Sequence, residues 1–109
     1  MSTYDNFLKL DIRIGKIISV DDFPRARKTS YKMKINFGEE IGVKNTSIQA
    51  TNYTKEELLG KQIVGVVNFP PKNIAGFFSE VLVLGVPTEE NELSLLEPSK
   101  KAKLGGRVY

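Results

Sequence analysis

Residues 54–61, TKEELLGK, spell out one short helix with a marked start and a marked stop. The Thr54 hydroxyl can accept the amide hydrogen three residues on while Glu57 reaches back to the Thr54 amide, the reciprocal bonding of a capping box. Gly60 suits the left-handed conformation that closes a helix. Strand patterns lie on both sides of this helix. Upstream, DIRIGKIISVDDF (residues 11–23) alternates at Ile12 and Ile14, loses phase around Gly15 and resumes at Ile18 and Val20. That break predicts a long, bent first strand with a bulge at the glycine. YKMKINFG (31–38) sends Tyr31, Met33, Ile35 and Phe37 inward and Lys32, Lys34 and Asn36 to water. A turn at Gly38-Glu39-Glu40 leads into a third strand, IGVKNTSIQAT (41–51). Downstream of the helix, QIVGVVNF (62–69) and EVLVLGV (80–86) read as strands four and five.

Three strands, one short helix and two strands make an all-β chain. The expected architecture is a five-stranded OB-fold barrel with one short helix between strands 3 and 4. Alternation alone would also permit an open sandwich. Short extensions complete it: a helical turn in TYDNFLKL (3–10), with Tyr4, Phe7 and Leu8 on one side, and the pieces ELSLL (92–96) and RVY (107–109). No linker, repeat or low-complexity tract divides the 109 residues, so residues 1–109 are read as a single domain.

Composition removes most catalytic chemistry. The chain has no cysteine and no histidine, which excludes disulfides, Cys/His zinc sites, thiolate nucleophiles and imidazole bases. The paired acids Asp21-Asp22, Glu39-Glu40, Glu56-Glu57 and Glu89-Glu90 sit in polar, turn-like settings and read as solvated surface. No glycine-rich loop with lysine and Ser/Thr is present to cradle a phosphate, so no nucleotide cofactor is expected, and no metal. The N-terminus lacks a basic region followed by an apolar core, and no apolar run approaches the ~20 residues of a membrane span. The expectation is a cytoplasmic, non-enzymatic protein without membrane insertion.

The net charge of +3 is unevenly spread. Arg25, Arg27, Lys28, Lys32 and Lys34 form a run without an acid. An OB-fold binds along strands two and three, flanked by the loops between strands one and two and between strands four and five. Here those loops are DDFPRARKTS (21–30) and PPKNIAGFFSE (70–80), so the basic run and the aromatic pair Phe77-Phe78 fall on one face. Pro70 and Pro71 mark the second segment as a loop. Neighbouring side chains in an extended segment point opposite ways, so one phenylalanine can plug the barrel end while the other faces a ligand.

FLKLDIRIGKI (7–17), DFPRARKTSYKMKINFGEEIGVKNTSIQATNYT (22–54) and ELLGKQIVGVVNFPPKNIAGFFSEVLVLG (57–85) resemble the CsaA-type export chaperones. Those are relatives of the tRNA-binding domain appended to some methionyl-tRNA synthetases. NFPP followed by SEVLVLG marks the chaperone branch, and LDIRIGKI the wider superfamily. The resemblance implies an OB-fold homodimer that binds unfolded or precursor polypeptides, with tRNA as the alternative ligand. RNA-binding relatives usually carry Asp-Lys-Leu where this chain has Arg27-Lys28-Thr29. They usually carry Ser-x-Gly-Met where it has Ser79-Glu80-Val81, and Glu80 would set a negative charge beside a bound phosphate.

The resulting expectation is an ATP-independent chaperone for unfolded or precursor polypeptides, supporting export. Its peptide-binding residues would be Phe69, Lys72, Ile74, Phe77 and Phe78. A structure-specific tRNA-binding module is the alternative, using Arg25, Arg27, Lys28, Lys32, Lys34, Lys44, Asn45, Ser47, Gln49, Asn68, Lys72 and Ser79. Apolar residues at both chain ends exceed what a five-stranded barrel needs. Tyr4, Phe7, Leu8, Leu93, Leu95, Leu96 and Val108 are therefore expected to be buried in a homodimer interface rather than folded back on their own barrel.

Overall fold

The first strand, β1 (Ile12–Asp22), is long enough to serve two partners. In the computed structural model, which describes residues 1–109, its first half pairs antiparallel with β4 (Gln62–Val66). Its second half pairs with β2 (Tyr31–Asn36). β2 in turn pairs with β3 (Val43–Ile48), and β4 with the short β7 (Leu82–Val83). The sheet order is β3-β2-β1-β4-β7, an OB-like barrel open only between its two outer strands. The expected five-stranded barrel is present.

Alternation in β2 puts Tyr31, Met33, Ile35 and then Phe37 into the core beside Ile17, Ala50, Leu58, Ile63, Val81 and Leu95. The helix α3 (Lys55–Leu58) carries the capping box that its sequence dictates: Glu57 N donates to Thr54 Oγ1 at 3.1 Å, and Thr54 N to Glu57 Oε1 at 2.8 Å. Gly60 adopts φ +87° and its amide reaches the Ile17 carbonyl at 2.8 Å, so the helix plugs the barrel end with the fully buried Leu58.

The bulge is not at Gly15. The register of β1 slips between Ile17 and Ser19, leaving Ile18 as the extra, exposed residue. Gly15 serves close packing instead: a Cβ there would lie 2.5 Å from Ile35 Cγ2 and 2.7 Å from Phe37 Cε1. Two further expectations are corrected. The Gly38-Glu39-Glu40 turn is one turn of helix, α2 (Gly38–Ile41). The fifth strand breaks after Val83, and its continuation β8 (Gly85–Pro87) pairs with β9 (Leu93–Leu95) outside the main sheet.

The segment after the double proline is no open loop. β5 (Lys72–Ile74) and β6 (Phe77–Ser79) form a hairpin across a two-residue turn. Ala75 and Gly76 both take positive φ, 50° and 85°, as a type I′ turn requires. Asn73 Oδ1 accepts the Gly76 amide at 2.9 Å and stiffens that turn.

The termini are tied to the barrel. Helix α1 (Tyr4–Leu8) is capped by Thr3, and the last residues run back along β1. Gly105 N donates to Ile14 O and Val108 N to Ile12 O, both at 2.8 Å. Arg13 fastens this seam: Nε bonds Asp11 at 2.6 Å, Nη1 donates to Gly105 O, and Nη2 meets Glu40 at 3.3 Å. The Asp11 carboxylate holds the Arg13 pKa above its ordinary value. The expectation that the chain ends stand free of their own barrel is therefore corrected at the C-terminal end. Leu95 is a core residue, Leu93 packs against that core, and Val108 is half-buried.

Candidate ligand-binding groove

The open seam of the barrel becomes a groove of about 1120 Å³. One side comes from the β1–β2 loop, which Phe23, buried to 6% exposure, pins to the barrel. That anchor leaves Arg25, Arg27 and Lys28 projecting into solvent around the cavity. The opposite side comes from the end of β4 and from the hairpin, contributing Phe69, Lys72 and Ile74. Ser47 of β3, Gln49 just past its end and Ser79 before β7 complete the lining with Leu82, Val83 and Leu93. The fold thus brings nine sequence-predicted residues around one cavity: Arg25, Arg27, Lys28, Ser47, Gln49, Phe69, Lys72, Ile74 and Ser79.

Others lie apart. Lys32, Lys34, Asn45 and Phe77 line a second, small cleft of about 110 Å³ with Ser19 and Asp21. Lys32 Nζ sits 5.5 Å from the Phe23 ring and 5.7 Å from the Phe77 ring. Phe77 itself is half-buried, whereas Phe78 is 57% exposed. The hairpin decides this: Phe78 faces Asn73 across the ladder, and Phe77 faces Ile74, so the pairs occupy opposite faces. Lys44 borders neither cavity. Asn68 is corrected as an RNA contact, because its side chain ties Asp11 N at 2.9 Å and Lys9 O at 2.8 Å at the far end of β1.

Glu80 does more than face the groove. Its amide donates to Asn45 O at 2.8 Å, and its Oε1 accepts the Asn45 amide at 2.9 Å. Thr46 Oγ1, buried, donates to Val81 O at 2.9 Å, and Ser47 N to Ser79 Oγ at 3.2 Å. Side chains thus close the barrel where a main-chain ladder stops. Sequence reading missed Leu82, Val83 and Leu93 as lining residues. The alternation in EVLVLG held a signal for Leu82, whose outward side chain is 51% exposed.

The ion pairs of the protein involve Arg13, Lys55, Lys61 and Arg107. Arg25, Arg27, Lys28 and Lys72 have no carboxylate partner, so the groove is cationic as well as apolar-walled. Fold and groove together define an OB-fold-like barrel with a cationic, apolar-walled groove at its open seam.

Residues 12–107 match the family described as "Putative tRNA binding domain", and the chain belongs to that family. Its likeness to solved structures is extensive. The CsaA chaperone protein of Picrophilus torridus is 52% identical over the whole of both chains, with a TM-score of 0.95. The chaperone CsaA of Bacillus anthracis is 44% identical across all of this chain and 99% of that one, with a TM-score of 0.92. Among curated proteins, the methionine–tRNA ligase of Thermococcus onnurineus is 36% identical over 96% of this chain. The chain spans only 14% of that ligase's length.

Proposed function

We propose that the chain is a non-catalytic, ATP-independent chaperone that holds exposed segments of unfolded or precursor polypeptides in the cytoplasm, in support of export. The observation that carries this reading is the make-up of the groove: Phe69, Ile74 and Leu82 on its walls, flanked by the unpaired Arg25, Arg27, Lys28 and Lys72. Apolar walls accept side chains that a folded client would bury, and the cations take its acidic groups or carbonyls. Phe78 borders neither cavity and lies on the hairpin face opposite Ile74, so any contact it makes with a client is outside the groove. The likeness to the CsaA chaperones of Picrophilus torridus and Bacillus anthracis supports the same reading.

The test is dilution of a chemically denatured client into the purified protein, followed by light scattering. Suppressed aggregation is expected, together with its loss in Ile74→Glu and Leu82→Glu proteins that melt like the parent. Unchanged aggregation at excess protein would sink the proposal.

A tRNA-binding role on the same groove is the second reading, favoured by its four unpaired cations and by the family. Phosphate contacts would make such binding fall with salt, at a slope of about −0.7 per phosphate neutralised on single strands. Purification without nuclease, followed by an absorbance spectrum, tests it. Nucleic acid should co-elute at low salt, and a nucleic-acid-free protein that binds no RNA there would remove this reading.

A further inference from the structure

Resting on the polypeptide-holding reading, we propose how the client is held: as an added β-strand on the outer edge of β3, along Ser47 to Gln49. The β2–β3 ladder fixes which main-chain groups face outward. Phe37 N donates to Gly42 O at 3.0 Å, and the register continues from there through Ile35 with Lys44, Met33 with Thr46 and Tyr31 with Ile48. In an antiparallel pair, bonded and non-bonded positions alternate. Asn45, Ser47 and Gln49 therefore aim their amides and carbonyls away from β2.

Along that edge, saturation stops part-way. Both groups of Asn45 are taken by Glu80, and Ser47 N is taken by Ser79 Oγ. Beyond it, Gln49 N and O have no partner within the protein. Ser47, Ile48 and Gln49 all line the groove, so the two unpaired main-chain groups of Gln49 open directly into it. A strand edge with free main-chain groups is a template for another extended chain.

The surroundings define the chemistry of that chain. Successive side chains of a strand point to opposite faces, so alternate client residues would meet the apolar wall of Ile74, Leu82 and Leu93. The intervening residues would lie towards Arg27 and Lys28 of the β1–β2 loop. Glu80 supplies the carboxylate of the groove, and one of its oxygens is already bonded to the Asn45 amide. The complementary occupant is an extended polypeptide segment in which apolar residues alternate with acidic ones.

A short peptide of strictly alternating valine and glutamate, fluorescently labelled, is the probe. Two variants carry N-methyl groups on alternate backbone amides, one set on each edge of the extended peptide. Only one edge can donate to Gln49 O, so one variant should lose up to about tenfold in affinity, the equivalent of one hydrogen bond, while the other keeps the parent value. Amide exchange at Gln49 should slow at saturating parent peptide. Equal affinities of the two variants, or unchanged exchange at Gln49, overturn the proposal. A parent peptide that fails to bind while a denatured client is still protected overturns strand addition and leaves the holding role standing. Failure of both removes both. Protection of Gln49 by a single-stranded oligoribonucleotide and not by the peptide also overturns it.

Discussion

Phe77 meets Phe23 edge to face, with ring centroids 5.5 Å apart and planes at 66°, so the hairpin clasps the β1–β2 loop through this contact. Lys32 caps both rings. The two walls of the groove are thereby held at a fixed spacing. Phe77→Ala should therefore loosen the groove as well as the fold, costing about 2 kcal/mol, less than the ~3–5 kcal/mol of a fully buried phenylalanine. Phe78→Ala should leave stability within about 0.5 kcal/mol, as exposed substitutions usually do. Urea denaturation of both variants, set beside client protection, checks the division. Equal destabilisation by the two would contradict the assigned faces, and full protection by Phe78→Ala would remove that side chain from the site.

Glu80 stitches the open seam through a single carboxylate oxygen. Glu80→Ala would leave the half-buried Asn45 amide without its partner and should cost about 1 kcal/mol, since water can reach part of it. Glu80→Gln keeps an acceptor and removes the charge, so its melting temperature should stay near the parent value. Any RNA affinity should rise in Glu80→Gln as the groove loses its negative group. Calorimetry and low-salt RNA titration test both parts, and a severe loss of stability in Glu80→Gln would refute the acceptor role.

Ala75 occupies a left-handed position that a Cβ makes unfavourable by roughly 1–2 kcal/mol. Asn-Gly is the preferred pair for this turn type. Ala75→Asn should accordingly stabilise the hairpin by up to about 1 kcal/mol, with client binding preserved or improved because the wall becomes more rigid. Thermal unfolding measures it, and a lower melting temperature would mean that the turn is not of this type in solution.

The misreading of that hairpin shows where the sequence stopped speaking. Thr54, Glu57 and Gly60 announce their helix because capping chemistry is complete within eight residues. The alternation of β2 is equally local. β4 already ends at Val66, ahead of Pro70 and Pro71; a strand of three residues has too short a period to register, and Ala75 disguises the turn. Gly15 was ambiguous in principle, since glycine in a strand signals either a bulge or a close approach. Phe37, distant in sequence, decides it. The groove was legible as two loops and a strand face because OB topology gathers them. The roles of Glu80 and Asn68 depend on partners 35 and 57 residues away, and no local pattern encodes those.

The capping box also predicts an acid response. Bonds from Thr54 hold the Glu57 pKa below its ordinary value, the backbone amide first and the side chain second. A carboxyl whose pKa is depressed by folding contributes stability above its unfolded value, and loses it as pH falls through the folded one. The affected window therefore lies at and below the ordinary glutamate range of ~4.3. Glu57→Gln should flatten the acid limb of the stability profile there, with little change in the shape of the curve near neutrality. Thr54→Ala should cost about 1 kcal/mol at neutral pH, as cap removal does. Melting curves across the acid range check both, and parallel acid limbs for parent and Glu57→Gln would exclude the contribution.

Assembly supplies the last prediction. Helix α1 buries no residue, yet Tyr4 is 70% exposed, stacks on Phe7 at 6.3 Å, and shares the helix with the exposed Leu8. Leu96, at the end of β9, is likewise exposed at 39%. Leu95 is satisfied by the barrel core and drops out of the interface, whereas Tyr4, Leu8 and Leu96 stay exposed. Arg107 holds the helix in place by donating to Leu8 O and Leu10 O at 3.0 and 3.2 Å, so the uncovered side is fixed in position. A fixed apolar surface suits a two-fold contact between copies, whereas Leu93 lines the groove and packs on the core and so leaves the expected interface. Light scattering at micromolar concentration should give twice the chain mass of 12.2 kDa. Replacing Tyr4 and Leu8 together by alanine removes four side chains from a two-fold interface and should raise the dissociation constant about ten-thousandfold, taking roughly 1.5 kcal/mol for each. The melting behaviour of the isolated barrel should hardly change, because neither side chain enters the core. A parent protein of single-chain mass would end the dimer proposal, and an undiminished dimer in the double variant would move the interface away from α1.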